Sequence, residues 1–308
     1  MSIKLIVSPT EPGCKWEDFL FRSPQYSVAL DGYVVDGPKF DYDKICVNYN
    51  HHDFVDRLAT RATCAQVLMS IRQGMFSLFR DSDGPRANVY VNDCDEDVCT
   101  SWFLLNQHHL VHGTMNPLIN KLVSIEDCLD STAGAYPFPS DLPFLQELAW
   151  IFEPYRQFRL NGGLEKRDSA SFKSIILDVE HRIMAYVTGN GKKIVLNTSY
   201  DVIGGSNGWT MVKEIGSHAR TGMFSDGIKA YVSVRERQDG KFTYTLGKLS
   251  PFIPFNLLKL SEIFNKEDSS VTDFDKWGGG NNIMGSPRIA GSSLNPEQLS
   301  LIIKDNLK

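Results

Sequence analysis

Residues 87–113, ANVYVNDCDEDVCTSWFLLNQHHLVHG, decide the fold. Ala87 to Val91 is a short run rich in β-branched and aromatic side chains, the composition of a strand. An acidic turn follows, and from Val98 apolar residues recur at helical spacing to the end of the stretch. Strand, turn and helix in this order form part of a βαβ unit. Working outward, YVVD (33–36) and KICVNY (44–49) read as further strands. Between them and residue 87, Leu58, Ala62, Ala65, Met69 and Phe76 predict one helix of roughly five turns. The alternation predicts an α/β protein whose N-terminal half is a parallel sheet with crossover helices.

Beyond residue 113 two long helical stretches are expected, 141–158 and 169–187, separated by Asn161-Gly162-Gly163. The second half changes character. KKIVLNTS (192–199) reads as a strand, DVIGGSNG (201–208) as a glycine-rich turn and GWTMVKEIGSHA (208–219) as a short helix. A hairpin is expected around Gln238-Asp239-Gly240. After it come a helix over 254–267, a loop WGGGNNIMGSPRIAGSS (277–293) and a terminal helix with Pro296 in its first turn. The chain has 308 residues, two domains at about 150 residues each. The expected domains are 1–165 and a smaller mixed α/β domain at 190–308, joined by a helical linker near 166–189.

Composition narrows the function classes. There are 32 Lys plus Arg against 37 Asp plus Glu, a net charge of -5. This balance argues against holding nucleic acid by bulk charge. The six cysteines contain no CxxC pair and read as small buried hydrophobes. No signal-peptide or membrane-length apolar run is found, which predicts a cytoplasmic chain without a membrane partner.

The acids are gathered. Asp93, Asp95, Glu96 and Asp97 crowd one turn at a strand end and a helix start. A helix N-terminus favours one or two of them. Four so close repel one another unless a cation joins them, and a D-x-D turn can aim two carboxylates at one divalent ion. Asn50-His51-His52-Asp53 closes a predicted strand, where open α/β sheets place their sites. Adjacent side chains diverge, so one ring is expected on metal and the other on substrate. His108, His109 and His112 are read as a solvated helix end.

VNDCDEDVCTSWFLL, NHHD and YVVDGPKFD together resemble the motifs of the DHH phosphoesterase superfamily. SIEDCLDSTAG (124–134) stands where a last metal-binding aspartate of that family comes, and WGGGNNIMGSPRIAGSS is similar to the glycine loop of its C-terminal DHHA1 substrate-binding domain. The histidine pair precedes the D-x-D turn, the reverse of the family order, which implies a permuted arrangement. Val91 stands in place of the family's leading histidine, Asn50 in place of the Asp of D-H-H, and Asn281 in place of the His after three glycines.

The resemblance implies hydrolysis of a phosphodiester or phosphoanhydride in a nucleotide-like substrate, a short oligonucleotide among the candidates, with Mn2+ or Mg2+. The metal ligands it implies are Asp36, His51, Asp95, Asp97 and Asp127, with His52 catalytic at the scissile phosphate. Gly278, Gly279, Gly280, Asn281 and Ser286 would bind substrate, their glycines letting amides approach an anion. Arg288 would clamp the phosphate. The alternative is a non-catalytic nucleotide- or phosphate-binding protein of the same fold, as Val91 and Asn50 replace expected ligands.

Overall fold

The structure is a computed structural model and describes residues 2–11, 13–57, 59–113 and 116–307. Leu58, the first position of the expected helical periodicity, lies outside them. The chain divides into two compact units, residues 1–131 with 143–194, and residues 132–142 with 195–308.

The first unit contains β1 (Ser2–Val7), α1 (Trp16–Arg22), β2 (Ser27–Leu30), β3 (Lys39–Asp41), β4 (Cys46–Tyr49), α2 (Thr63–Arg72), α3 (Met75–Leu78), β5 (Arg80–Asp81), β6 (Gly84–Val91), α4 (Glu96–Asn106), α5 (Pro117–Ser131), α6 (Pro143–Ile151), α7 (Glu153–Leu160) and α8 (Ser169–Val187). Its sheet runs β1-β6-β2-β4-β3, parallel except for the edge strand β3, while β5 pairs with β6 off this path. Successive side chains alternate between faces. Val28 pairs with Val47 and Val89 on one face, and Leu30 lies with Tyr49. Ala29, on the other face, packs with Trp16 and Phe19 of α1.

Four readings of this unit need correction. YVVD is not a strand: Val34 makes one isolated bridge to Cys14, and the strand is SVAL at Ser27–Leu30. Tyr33 and Val34 are apolar because they pack on α1, and Asp31 and Gly32 at positive φ (49° and 80°) turn the chain away from the sheet. The single helix over 58–79 starts at Thr63 and breaks at Gly74, whose φ of 97° ends α2 before α3. The helical run from Val98 ends as α4 at Asn106, followed by a 3-10 turn at His108–Leu110. The stretch expected as a linker is α8, which packs on α4 and β1 within the first unit. Glu180 of α8 accepts hydrogen bonds from Trp102 Nε1 (2.7 Å), Asn106 Nδ2 (2.6 Å) and Gln107 Nε2 (2.8 Å), satisfying a carboxylate buried between the two helices.

The second unit contains β7 (Tyr200–Ser206), β8 (Trp209–Glu214), α9 (Ala219–Ser225), β9 (Ala230–Glu236), β10 (Phe242–Lys248), α10 (Leu257–Glu267), β11 (Gly278–Gly279), β12 (Ile283–Gly285) and α11 (Pro296–Asn306). Its mixed sheet runs β11-β12-β10-β9-β8-β7, with β8 and β9 parallel and the other pairs antiparallel. The expected hairpin and terminal helix are present, the latter with an Asn295–Gln298 capping box.

The segment read as a helix after Gly208 is strand β8. Trp209 and Met211 enter the core under α10 and α11, while Val212 enters the cluster on α9, a period of two. The signal was Asn207-Gly208, a two-residue turn of the kind that joins β-hairpins; Ser206 pairs with Trp209 across it. The strand expected at 192–199 has no regular structure, and DVIGGS is β7. The loop at 277–293 contributes β11 and β12 to the sheet edge. Among the described residues no helix is long and apolar enough to cross a membrane.

Leu30, fully buried one residue before Asp31, ties the end of β2 to the core. Leu30→Ala is expected to cost about 2–5 kcal/mol, read as an earlier midpoint in urea unfolding followed by circular dichroism.

Candidate metal centre

The C-terminal ends of three parallel strands supply the site. β2 delivers Asp31, β4 the run Asn50 to Asp53, and β6 the acidic turn that starts α4. This is the edge at which open α/β sheets bind ligands. Two helices complete it: α2, through its first amides, and α5, through Asp130.

His51 lies at the centre, its side chain fully buried. Its Nε2 is 2.6 Å from Asp130 Oδ2, 3.5 Å from Asp31 Oδ1 and 3.7 Å from Asp97 Oδ2. Both ring nitrogens of His51 and Oδ2 of Asp130 are buried without a hydrogen-bond partner among the described residues. Buried polar atoms are ordinarily satisfied. An imidazole nitrogen and carboxylate oxygens gathered this closely are a donor set that a metal ion can take. Asp31, His51 and His52 form one group whose ligand atoms lie within 4.8 Å of each other, and His51, Asp97 and Asp130 form a second. The protein therefore has buried Asp/His groupings that could hold a metal ion.

The surroundings orient the carboxylates. Asp97 accepts the amides of Thr63 (2.7 Å) and Cys64 (2.6 Å), the unsatisfied donors at the start of α2. Asp31 Oδ1 accepts from Thr63 Oγ1 at 3.1 Å and lies 2.8 Å from Nε2 of the exposed His52. Asn50, fully buried, donates from Nδ2 to the carbonyls of Val34 and Asp36 and to Asp53, and its Oδ1 accepts the His52 amide. An aspartate could not donate those bonds, so Asn50 holds the histidine loop in place instead of binding metal.

The like charges shift one another's titration. Burial, then the charges of Asp130 and Asp31, push the Asp97 carboxyl up to about 8. Burial and the neighbouring acids, Asp31 first, hold Asp95 well above the usual carboxylate range. Burial would lower His51, but Asp130 and Asp31 outweigh it and push the ring up to about 10. Asp31 is held well below its usual range, because the two imidazoles overcome its burial. Without a cation, the crowded carboxyls favour their protonated forms.

Of the residues expected from sequence, His51 and Asp97 meet at the centre and His52 stands beside them on Asp31. Asp95 caps α4 through Val98 N (2.9 Å), yet feels the charges of Asp31 and Asp130. Asp36 is not at the site: its carboxylate takes the Gly37 amide and Lys39. Asp127 accepts the Ala62 amide at 2.6 Å ahead of α2, and Asp130, one helical turn on, faces His51. Asp31 and Asp130 were missed. The apolar run SVAL before Asp-Gly marks the first, and the i, i+3 pair in EDCLD marks the second.

In the second unit the expected substrate residues have mixed fates. Gly278 and Gly280 are exposed, and Gly279 at φ 149° would place a Cβ 2.4 Å from the Ile283 carbonyl, so this glycine serves the β11–β12 turn. Ser286 is buried and its Oγ accepts the Tyr244 amide at 3.0 Å, a sheet-edge bond. Arg288 is exposed, but the amides of Arg288, Ile289 and Ala290 all donate to Asp275, which fills the anion-sized turn there. Asn281 is exposed at the loop's tip.

No protein-family model matches the chain, and no curated protein matches it.

The raised carboxyl of Asp97 favours its protonated form in the folded state, so stability falls as pH climbs from about 4 through 8. The raised His51 contributes fully below about 6.5 and loses that contribution as pH climbs towards 10. The signs agree. The metal-free protein should melt lower at pH 8 than at pH 6, and Mn2+ should raise Tm more at pH 8, because binding displaces these protons. Thermal melts in EDTA and in Mn2+ at both pH values check this, and His51→Ala should abolish most of the metal response.

Proposed function

We propose that the chain is a divalent-metal-dependent phosphoesterase that hydrolyses a phosphodiester or phosphoanhydride in a nucleotide-like substrate, a permuted relative of the DHH phosphoesterases. The observation that carries it is the fully buried His51 ring in contact with Asp130, ringed by Asp31 and Asp97 at the sheet edge where open α/β sheets bind ligands. The permutation has support in the sheet. β6, which leads to the D-x-D turn and comes last among the strands of the first unit, pairs with β2, which leads to Asp31. Neighbours in space need not be neighbours in order, so moving a strand along the chain leaves the edge intact.

The residues fit a resident metal. Asp31, His51, Asp97 and Asp130 would hold it, and one imidazole among carboxylates suits manganese better than magnesium, which prefers oxygen and water. The ion, when bound, supplies Lewis-acid polarisation of the phosphoryl group and a more acidic water. The chain's own groups do the remaining work. The α2 amides fix Asp97, and Thr63 fixes Asp31, so the carboxylates need not reorganise when the ion enters. His52, exposed and paired to Asp31, which raises its pKa, stands beside the cluster, where it would contact a substrate phosphate or its leaving group.

Hydrolysis of bis(4-nitrophenyl) phosphate with Mn2+ tests the proposal. His51→Ala and Asp31→Asn should each lower kcat/KM by about a hundredfold or more, whereas Asp36→Asn should stay within about twofold. Tight Mn2+ binding with no turnover of this substrate or of a dinucleotide would leave a metal- and phosphate-binding protein instead.

A further inference from the structure

A cavity of about 390 Å³ lies in the second unit between the end of β10 and the start of α10. Pro251, Pro254, Phe255 and Leu258 form its apolar walls, and Lys248 and Asn281 are among its polar lining. Lys248 occupies an improbable position for a lysine. It follows Tyr244 and Leu246 at intervals of two along β10, on the face that builds the hydrophobic core. It is 7% exposed. Among the described residues its ammonium has one acceptor, the Ile253 carbonyl at a long 3.5 Å, and no carboxylate within ion-pairing distance. Burial lowers its pKa.

A buried cation without a counter-charge is unfavourable unless something anionic joins it. The cavity offers further donors. Asn256 caps α10 by accepting the Lys259 amide, and the amides of Leu257 and Leu258, both lining residues, have no acceptor among the described residues. Helix N-termini favour anions through these free amides and the helix dipole. Asn281, from the glycine-rich loop, also lines the cavity. The volume greatly exceeds that of a bare oxyanion and falls in the range of small-molecule sites.

We propose that this cavity binds a small organic anion, an oxyanion head carried on an apolar body, with Lys248 as its counter-charge. The head meets the ammonium and the first amides of α10, and the body lies against the proline and aromatic walls. The site is independent of the metal centre and of the phosphoesterase proposal. A structural lysine that only tethers the 249–256 turn through Ile253 would behave differently on substitution.

Thermal melts of the full chain in EDTA, with millimolar butyl phosphate, butyrate, inorganic phosphate or butanol, test it. Butyl phosphate or butyrate should raise Tm by at least about 2 °C, butanol should not, and inorganic phosphate should act more weakly for lack of a body. The relative effects of butyl phosphate and butyrate identify the head group. Lys248→Met should lose the response while melting at the same temperature as the wild type or higher, since the desolvated charge is gone. Nuclear magnetic resonance of the wild type needs no variant: the amide signals of Leu257 and Leu258 should shift with ligand. An unchanged Tm with every anion, an undiminished response in Lys248→Met, or shifts confined to other residues would overturn the proposal.

Discussion

Asp97 accepts the free amides of Thr63 and Cys64 at the start of α2 and lies beside the buried His51 ring. One carboxylate thus joins a helix N-terminus, the acidic turn after β6 and the histidine loop after β4. The bonds satisfy donors that α2 cannot satisfy itself. They also draw a carboxyl inward, next to Asp31 and Asp130, whose charges together with burial raise its pKa. The geometry of the cluster follows from that placement, and so does its need for protons or a cation.

The supports are arranged so that the carboxylates are restrained before any ligand arrives. Thr63 serves twice, its amide holding Asp97 and its hydroxyl holding Asp31. Asn50 ties the histidine loop to the carbonyls of Val34 and Asp36. Behind α4, Glu180 fixes the helix to α8 through three donors. The second unit shows the opposite treatment of a buried charge: among the described residues, Lys248 has only a long contact to a carbonyl.

Much of the α/β plan was legible because strands and helices have different periods. ANVYV followed by an acidic turn and an amphipathic run could form little else, and the pairs around Gln238-Asp239-Gly240 could form only a hairpin. Errors arose where apolar residues were buried for another reason. Tyr33 and Val34 pack on α1, so YVVD imitated a strand while the shorter SVAL formed one. TMVKEI passed for a helix because too few residues separate periods of two and 3.6 over so short a span. Its Asn-Gly turn carried the deciding information.

The sequence by itself determined the chemistry available: a D-x-D turn at a helix start, two histidines at a strand end, and aspartates spaced one helical turn apart in EDCLD. Local rules reach that far because the neighbours involved are close in the chain. Only the tertiary structure decided that Asp31 and Asp130 face His51 while Asp36 and Asp127 do not. In each pair the two aspartates lie a few residues apart with similar local sequence. Which one turns inward depends on where β2 ends, how α5 packs against α2 and which amides already hold a carboxylate, and these are relations between segments far apart in the chain.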